Sequence, residues 1–240
     1  MTIRRNLSIG LVFAVAAVAQ AQPNCLVTIE TAGLDLWSTA DHPGSLIMTQ
    51  NGAYSWHAHG DWTTNLWTTH LDADMNADPF VSNSFTITNN TAATQTFIVN
   101  ISLPVAVVSG PTQLFGSVSG SVADTNNAGG PPNWATMTAP AGDSIYVPVI
   151  DGLNFNPGRL LSDPFSVNAT GPLFTVPFGG VNFNNNAGPG VLVSIGIRNA
   201  FTLTPGDSVT LQSTFNVTPS PGGFGLLAFA GIAASRRRRR

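Results

Sequence analysis

The sequence predicts an all-β protein, an antiparallel β-sandwich of jelly-roll or immunoglobulin-like type. Three observations carry this. Runs rich in Val, Ile, Phe and Thr alternate apolar with polar residues, the period of a half-buried strand. Turn-forming residues separate the runs, with 24 glycines and 17 prolines in 240 residues. Charged residues make up only 9% and lysine is absent, which does not suit the charged outer faces of a helical bundle. Apolar residues reach 43%, enough for a core and too many for a disordered chain.

Taken in order, residues 1–21 read as a secretory signal peptide. Arg4 and Arg5 precede an apolar stretch over 7–18, and Ala19-Gln20-Ala21 forms a cleavage site. The stretch is short for a membrane span. The mature chain is expected to start at Gln22 and to work outside the cytoplasm. Cys25 is the single cysteine, so no intramolecular disulfide is open to the chain. Residues 25–31 alternate as a first strand. Residues 46–50 and 53–57 are expected to pair across the Asn51-Gly52 turn signal. The rest of 24–78 is the least regular part.

From Pro79 the strand signal is clear. Strands are expected over 80–88, 94–103, 113–123 and 144–150, a short one over 173–178, and two more over 191–204 and 208–217. Phe97, Val99 and Ile101 share one face of the second of these, and Pro205-Gly206-Asp207 turns the chain into the last. No amphipathic helix appears in the body, taken as 22–216.

The chemistry-bearing residues cluster between 54 and 78. His57 and His59 would share a strand face, and with His70 or Asp61 they could hold a transition metal. Asp72, Asp74, Asn76 and Asp78 place oxygen ligands at alternate positions, as calcium loops do. Ala77 stands where such a loop has glycine, and Asn83 where it has a bidentate glutamate; a solvated acidic loop is the plainer reading. Trp56, Trp62 and Trp67, with Trp37, could stack on sugar rings or fill the core. The sequence calls for no cofactor outright; calcium at 72–78 is the candidate it offers ahead of a transition metal at the histidines.

Enzyme signatures fail. There is no phosphate-binding loop and no lysine to serve one. In Gly116-Ser117-Val118-Ser119-Gly120 a valine stands where a nucleophile elbow needs serine. A secreted hydrolase is the third reading, behind a non-enzymatic surface protein and a carbohydrate- or calcium-binding module. Nucleic acid is disfavoured as a partner. The acidic residues all lie between Glu30 and Asp207, and only Arg159 and Arg198 oppose them there, leaving the body strongly negative.

The last stretch has its own grammar. Pro219, Ser220 and Pro221 form a proline-broken hinge, 223–235 an apolar helix candidate rich in small residues, and Arg236, Arg237, Arg238, Arg239 and Arg240 a terminal cationic block. Such an order suits a tail caught in a membrane, with the arginines held on the cytoplasmic side. The uncharged stretch over 222–235 would span about 21 Å as a helix, at roughly 1.5 Å per residue, against a hydrocarbon core of about 30 Å. That favours a temporary, processed stop over a permanent anchor.

This tail, over 217–240, resembles the sorting signal of PEP-CTERM proteins, with Ser220 where the motif usually has glutamate. The likeness implies an exported bacterial protein that is handled at the inner membrane by an exosortase and cut near the motif. It also implies a place at the cell surface or in a biofilm matrix, in association with exopolysaccharide. The body from about 78 to 217 is more loosely similar to the β-rich regions of such proteins.

Overall fold

The computed structural model describes residues 25–31, 35–51, 55–76, 78–126 and 134–220. They form two antiparallel sheets packed as a sandwich. The strands are β1 (Leu26–Thr31), β2 (Asp35–Ser38), β3 (Ile47–Gln50), β4 (Ser55–Thr63), β5 (Trp67–Asn76), β6 (Phe80–Asn89), β7 (Gln95–Pro104) and β8 (Thr112–Ala123). They continue as β9 (Ala135–Thr138), β10 (Ser144–Ile150), β11 (Leu153–Asn154), β12 (Leu160–Ser162), β13 (Ser166–Ala169), β14 (Thr175–Gly188), β15 (Ser194–Leu203) and β16 (Ser208–Pro219). A single 3-10 turn, Asn156–Gly158, is the helical element among the described residues.

The first sheet runs β11-β10-β15-β7-β1-β2, with β12 joined to β10 and with β9 joined to both β15 and β13. The second runs β14-β8-β16-β6-β5-β4-β3. Alternation decides which side chains lie between them. In β6 the inward set is Val81, Asn83, Phe85, Ile87 and Asn89, while Ser82, Ser84, Thr86 and Thr88 point outward. In β5 every odd position from Trp67 to Met75 is buried. The core so formed is dominated by Trp67, Tyr146, Phe85, Phe97, Phe201 and Phe215.

Contacts across the gap fix the two sheets to each other. Phe85 of the second sheet stacks with Phe201 of the first at 6.3 Å. The Tyr146 hydroxyl donates to the Thr214 carbonyl at 2.7 Å. The Asn199 amide donates to Ser213 Oγ at 3.1 Å. At one end Trp37 of β2 packs on Trp62 of β4 at 4.4 Å. In β8, a Cβ on Gly120 would sit 2.2 Å from the Thr210 carbonyl and 2.6 Å from the Phe178 ring, so only glycine admits these neighbours.

The strands expected from Pro79 onward are present with small changes at their ends. The expected β3–β4 pairing also forms, but with Gln50 opposite Trp56, a wider connection than Asn51-Gly52 alone would close. Three corrections stand out. The irregular stretch beyond 57 is in fact two long strands, β4 and β5, paired along their whole length. The short strand at 173–178 is the front of the fourteen-residue β14. Residues 217–219, assigned by sequence to the tail, are the end of β16. The signal peptide, Pro221, the 223–235 helix and the arginine block lie outside the described residues. Among the described residues no helix is long and apolar enough to cross a membrane.

Candidate binding face of the second sheet

The outward side chains of β4, β5, β6, β16 and β8 form registered rows. One row runs His57, Asp74, Ser82, Thr214, Ser117; the next runs His59, Asp72, Ser84, Gln212, Ser119. A third runs Asp61, His70, Thr86, Thr210, Ser121. Each of these strands needs apolar residues on one face only, so the other face is free to be polar. In the middle of the sheet the side chains are short, and they leave an open groove of about 300 Å³. Asp72, Asp74, Ser82, Ser84, Ser117, Ser119, Gln212 and Thr214 line it. The hydroxyls are already organised: Ser117 bonds Thr214 at 2.7 Å, and Thr86 bonds Thr210 at 2.9 Å.

One wall of the groove is a continuous chain of acids and imidazoles. Asp61 meets His70 Nδ1 at 2.6 Å, and His70 Nε2 meets Asp72 at 2.9 Å. Asp72 in turn lies 3.5 Å from His57 Nε2, and His57 Nδ1 reaches Asp74 at 3.0 Å. The hydrogen bonds from Asp61 and Asp72 favour the imidazolium and hold the His70 pKa above 6.5. Both ring nitrogens of His57 and of His70 thus face carboxylates, which holds the rings in place. A histidine that activates a serine needs one nitrogen turned to the hydroxyl; these two turn theirs to acids.

The structure treats the sequence-nominated residues unequally. Trp37, Trp56, Trp62 and Trp67 are all buried, with Trp67 at 0% exposure and Trp56 at 4%. They point inward from β2, β4 and β5, so they offer no ring face to a sugar, and the stacking reading is corrected to a core role. Asp72, Asp74 and Asn76 lie along β5 as outward alternate residues, about 7 Å apart at successive steps. A calcium loop must curl its ligands around one point, which a strand does not do. Asn76 moreover turns its amide oxygen back to the Asp78 N–H at 3.0 Å. His57 and His59 do share a face, with ring centroids 5.8 Å apart. Among the described residues no three His, Cys, Asp or Glu side chains converge on a metal position.

The serines, threonines and Gln212 of the groove were not singled out by sequence. Their signal was present as the polar half of each alternating strand, but only the register brings them together. Elsewhere, burial pushes the Cys25 thiol up to about 12, which removes it from thiolate chemistry. Arg198 donates to Asp143 at 2.7 Å, and Arg159 lies 3.6 Å from the same carboxylate. Pro219 pairs with Thr112, and the Ser220 N–H donates to the Pro111 carbonyl at 3.0 Å. The first two residues of the hinge motif are therefore seated on the sandwich. The chain matches no family model and no curated protein among those compared.

Proposed function

We propose that the protein is an exported, non-catalytic module of the cell surface or biofilm matrix, whose second-sheet face contacts a hydroxyl-rich polymer such as an exopolysaccharide. The groove carries this reading. Its lining is carboxylates, hydroxyls and a carboxamide, the donors and acceptors that sugar hydroxyls require. No aromatic residue is among those lining the groove, so each contact there is weak. Retention then depends on repetition along a polymer rather than on one tight site. The −10 body charge, from two arginines against twelve acids, favours a neutral polymer over an acidic one.

The tail supplies the address. Pro219, Ser220 and Pro221, the 223–235 helix and Arg236–Arg240 would hold the protein at the inner membrane until an exosortase cuts near the motif. Affinity electrophoresis in gels containing neutral polysaccharides tests the binding claim. The wild-type protein should be retarded, and the double variant Asp74→Ala, Gln212→Ala should not. Equal mobility of the two in every polymer overturns it.

A further inference from the structure

The end of the sandwich from which the C-terminal segment leaves is apolar. Residues 104–111 cross there from β7 in the first sheet to β8 in the second, and 189–193 cross back from β14 to β15. The two crossings run side by side. Val108 and Val191 exchange both backbone hydrogen bonds, and the Val105 N–H donates to the Val193 carbonyl at 3.0 Å. The β10–β11 turn locks onto them, because the Asp151 carboxylate accepts the N–H groups of Leu192, Val193 and Ser194 at 2.7 to 3.1 Å. This backbone frame leaves four large apolar side chains in solvent: Val107 at 64% exposure, Leu153 at 74%, Leu192 at 66% and Val193 at 64%.

Charge is kept away from this rim. Residues 104–112, 188–194 and 217–220 hold no charged side chain. Asp151 borders it with its carboxylate turned to backbone N–H groups, and Asp78 borders it beside Pro79, whose carbonyl accepts the Val217 N–H at 2.9 Å. The exit of the chain belongs to the same end. Pro219 pairs with Thr112, the Thr112 hydroxyl donates to the Pro189 carbonyl at 2.7 Å, and the Ser220 N–H donates to the Pro111 carbonyl at 3.0 Å. The uncharged stretch over 222–235 therefore begins two residues beyond Ser220. Two residues reach about 7 Å at most, at roughly 3.3–3.6 Å each. The headgroup layer on one side of a bilayer is about 5–8 Å deep, from about 40–45 Å overall and about 30 Å of hydrocarbon. Once 222–235 enters lipid, Ser220 and the rim lie in that layer. As a helix the stretch is about 9 Å shorter than the hydrocarbon, which leaves no slack to lift the rim clear.

We propose that the rim formed by Val107, Leu153, Leu192 and Val193 is a lipid-contacting surface, seated in the headgroup layer while the tail holds the protein at the membrane. An exposed cluster of large apolar side chains marks an interaction site. Apolar groups gain by burial at the boundary of headgroups and acyl chains, and the gain scales with the apolar area. The acidic body is repelled by anionic headgroups, so the lipid that fits is zwitterionic. A domain held at both the tail and the rim keeps one orientation on the bilayer instead of swinging about Pro219, Ser220 and Pro221. Four side chains make a reversible contact, so a cut near the motif still frees the domain. The inference rests on the membrane-tethering reading of the tail, and it does not depend on the sugar-facing role of the groove.

The test uses the full-length protein in phosphatidylcholine vesicles, with a nitroxide spin label on Val107→Cys or Leu192→Cys. Ala92→Cys, in the β6–β7 turn at the opposite end, and Ala230→Cys, within the tail, are the references. Cys25 takes no label at neutral pH, since burial pushes its thiol up to about 12. Collisions with oxygen, which concentrates in lipid, and with a water-soluble nickel chelate report the surroundings of each label. Labels at 107 and 192 should lose the chelate and gain oxygen, while the label at 92 keeps the chelate. Adding Leu153→Gln and Val193→Gln should return the label at 192 toward the behaviour at 92. Equal chelate access at 107, 192 and 92 overturns the proposal. If 230 is then shielded, the rim contact alone fails; if 230 is open too, the tethering reading fails with it. Shielding at 107 and 192 without a gain in oxygen also overturns it, because protein then covers the rim. That protein is residues 222–235 of the same chain, or a second copy, which dipolar broadening between two labels identifies.

Discussion

Replacing Trp67 with alanine separates a core role from a sugar-contacting one. Trp67 is fully buried and packs edge-on against Trp37 at 6.1 Å, so it ties β5 of one sheet to β2 of the other. Truncating a buried tryptophan to alanine costs about 3–5 kcal/mol, and loss of the aromatic pair belongs at the upper part of that range. Against a total stability of about 5–15 kcal/mol this is a large fraction. With a urea m-value of about 2 kcal/mol/M, the midpoint should fall by about 2 M. Trp67→Phe is the control. It keeps a ring in the site and sacrifices no hydrogen bond, because the indole N–H has no partner, so its cost should be nearer 1 kcal/mol. Urea titration followed by far-UV circular dichroism gives both numbers. A cost below about 1 kcal/mol for Trp67→Ala, with polysaccharide retention lost, would refute the core assignment.

Two further predictions concern charge. For Asp143, burial opposes ionisation, but the Arg198 hydrogen bond, the Ser144 N–H and the field of both arginines outweigh it and hold the carboxyl below its usual range. Its stabilising contribution is therefore present above about pH 4 and lost as pH falls through the folded value. Asp143→Asn should cost about 2–3 kcal/mol at neutral pH and flatten the acid limb of a Tm-against-pH curve; an unchanged acid limb would contradict this. For His70 the sign is opposite. Its raised pKa means that its contribution is complete below about pH 6.5 and is lost as pH rises through the folded value. NMR titration of the ring proton should give a midpoint above 6.5, and Asp61→Asn with Asp72→Asn should bring it back toward 6.5. A midpoint unmoved by the double variant would show that the carboxylates are not its cause.

Much of the sandwich was legible because its strands carry one apolar face. β10 was read to its ends, and β6, β7, β8 and β16 to within two residues, from Val, Ile and Phe in alternation between Gly, Pro and Asn turns. β5 alternates just as strictly, with Trp67, Leu71, Ala73 and Met75 inward. Its outward half, Asp72, Asp74 and Asn76, mimics a calcium loop, and strands are poor in Asp and Asn. That local resemblance hid the period. β14 was hidden for a different reason. It is an edge strand that presents mostly exposed Asn and Gly residues, and two register shifts break its pairing with β8. The groove was invisible for a third reason. It joins residues from strands far apart in the chain, and β-sheet register across such distances is not written in any local window.

The seating of the tail on β16 has a mechanical consequence. Tension on the C-terminal segment enters the sandwich through one strand. That strand is flanked by β8 along all of Ser208–Pro219 and by β6 along most of it. Pulled along its length, β16 loads its ladder bonds together in shear, whereas a strand peeled from an edge breaks them one at a time. β16 also supplies Gln212 and Thr214 to the groove. Under the proposed function, drag on a polymer held there would reach the C-terminal segment through a few residues of this one strand, which the first sheet braces through the Tyr146–Thr214 and Asn199–Ser213 bonds.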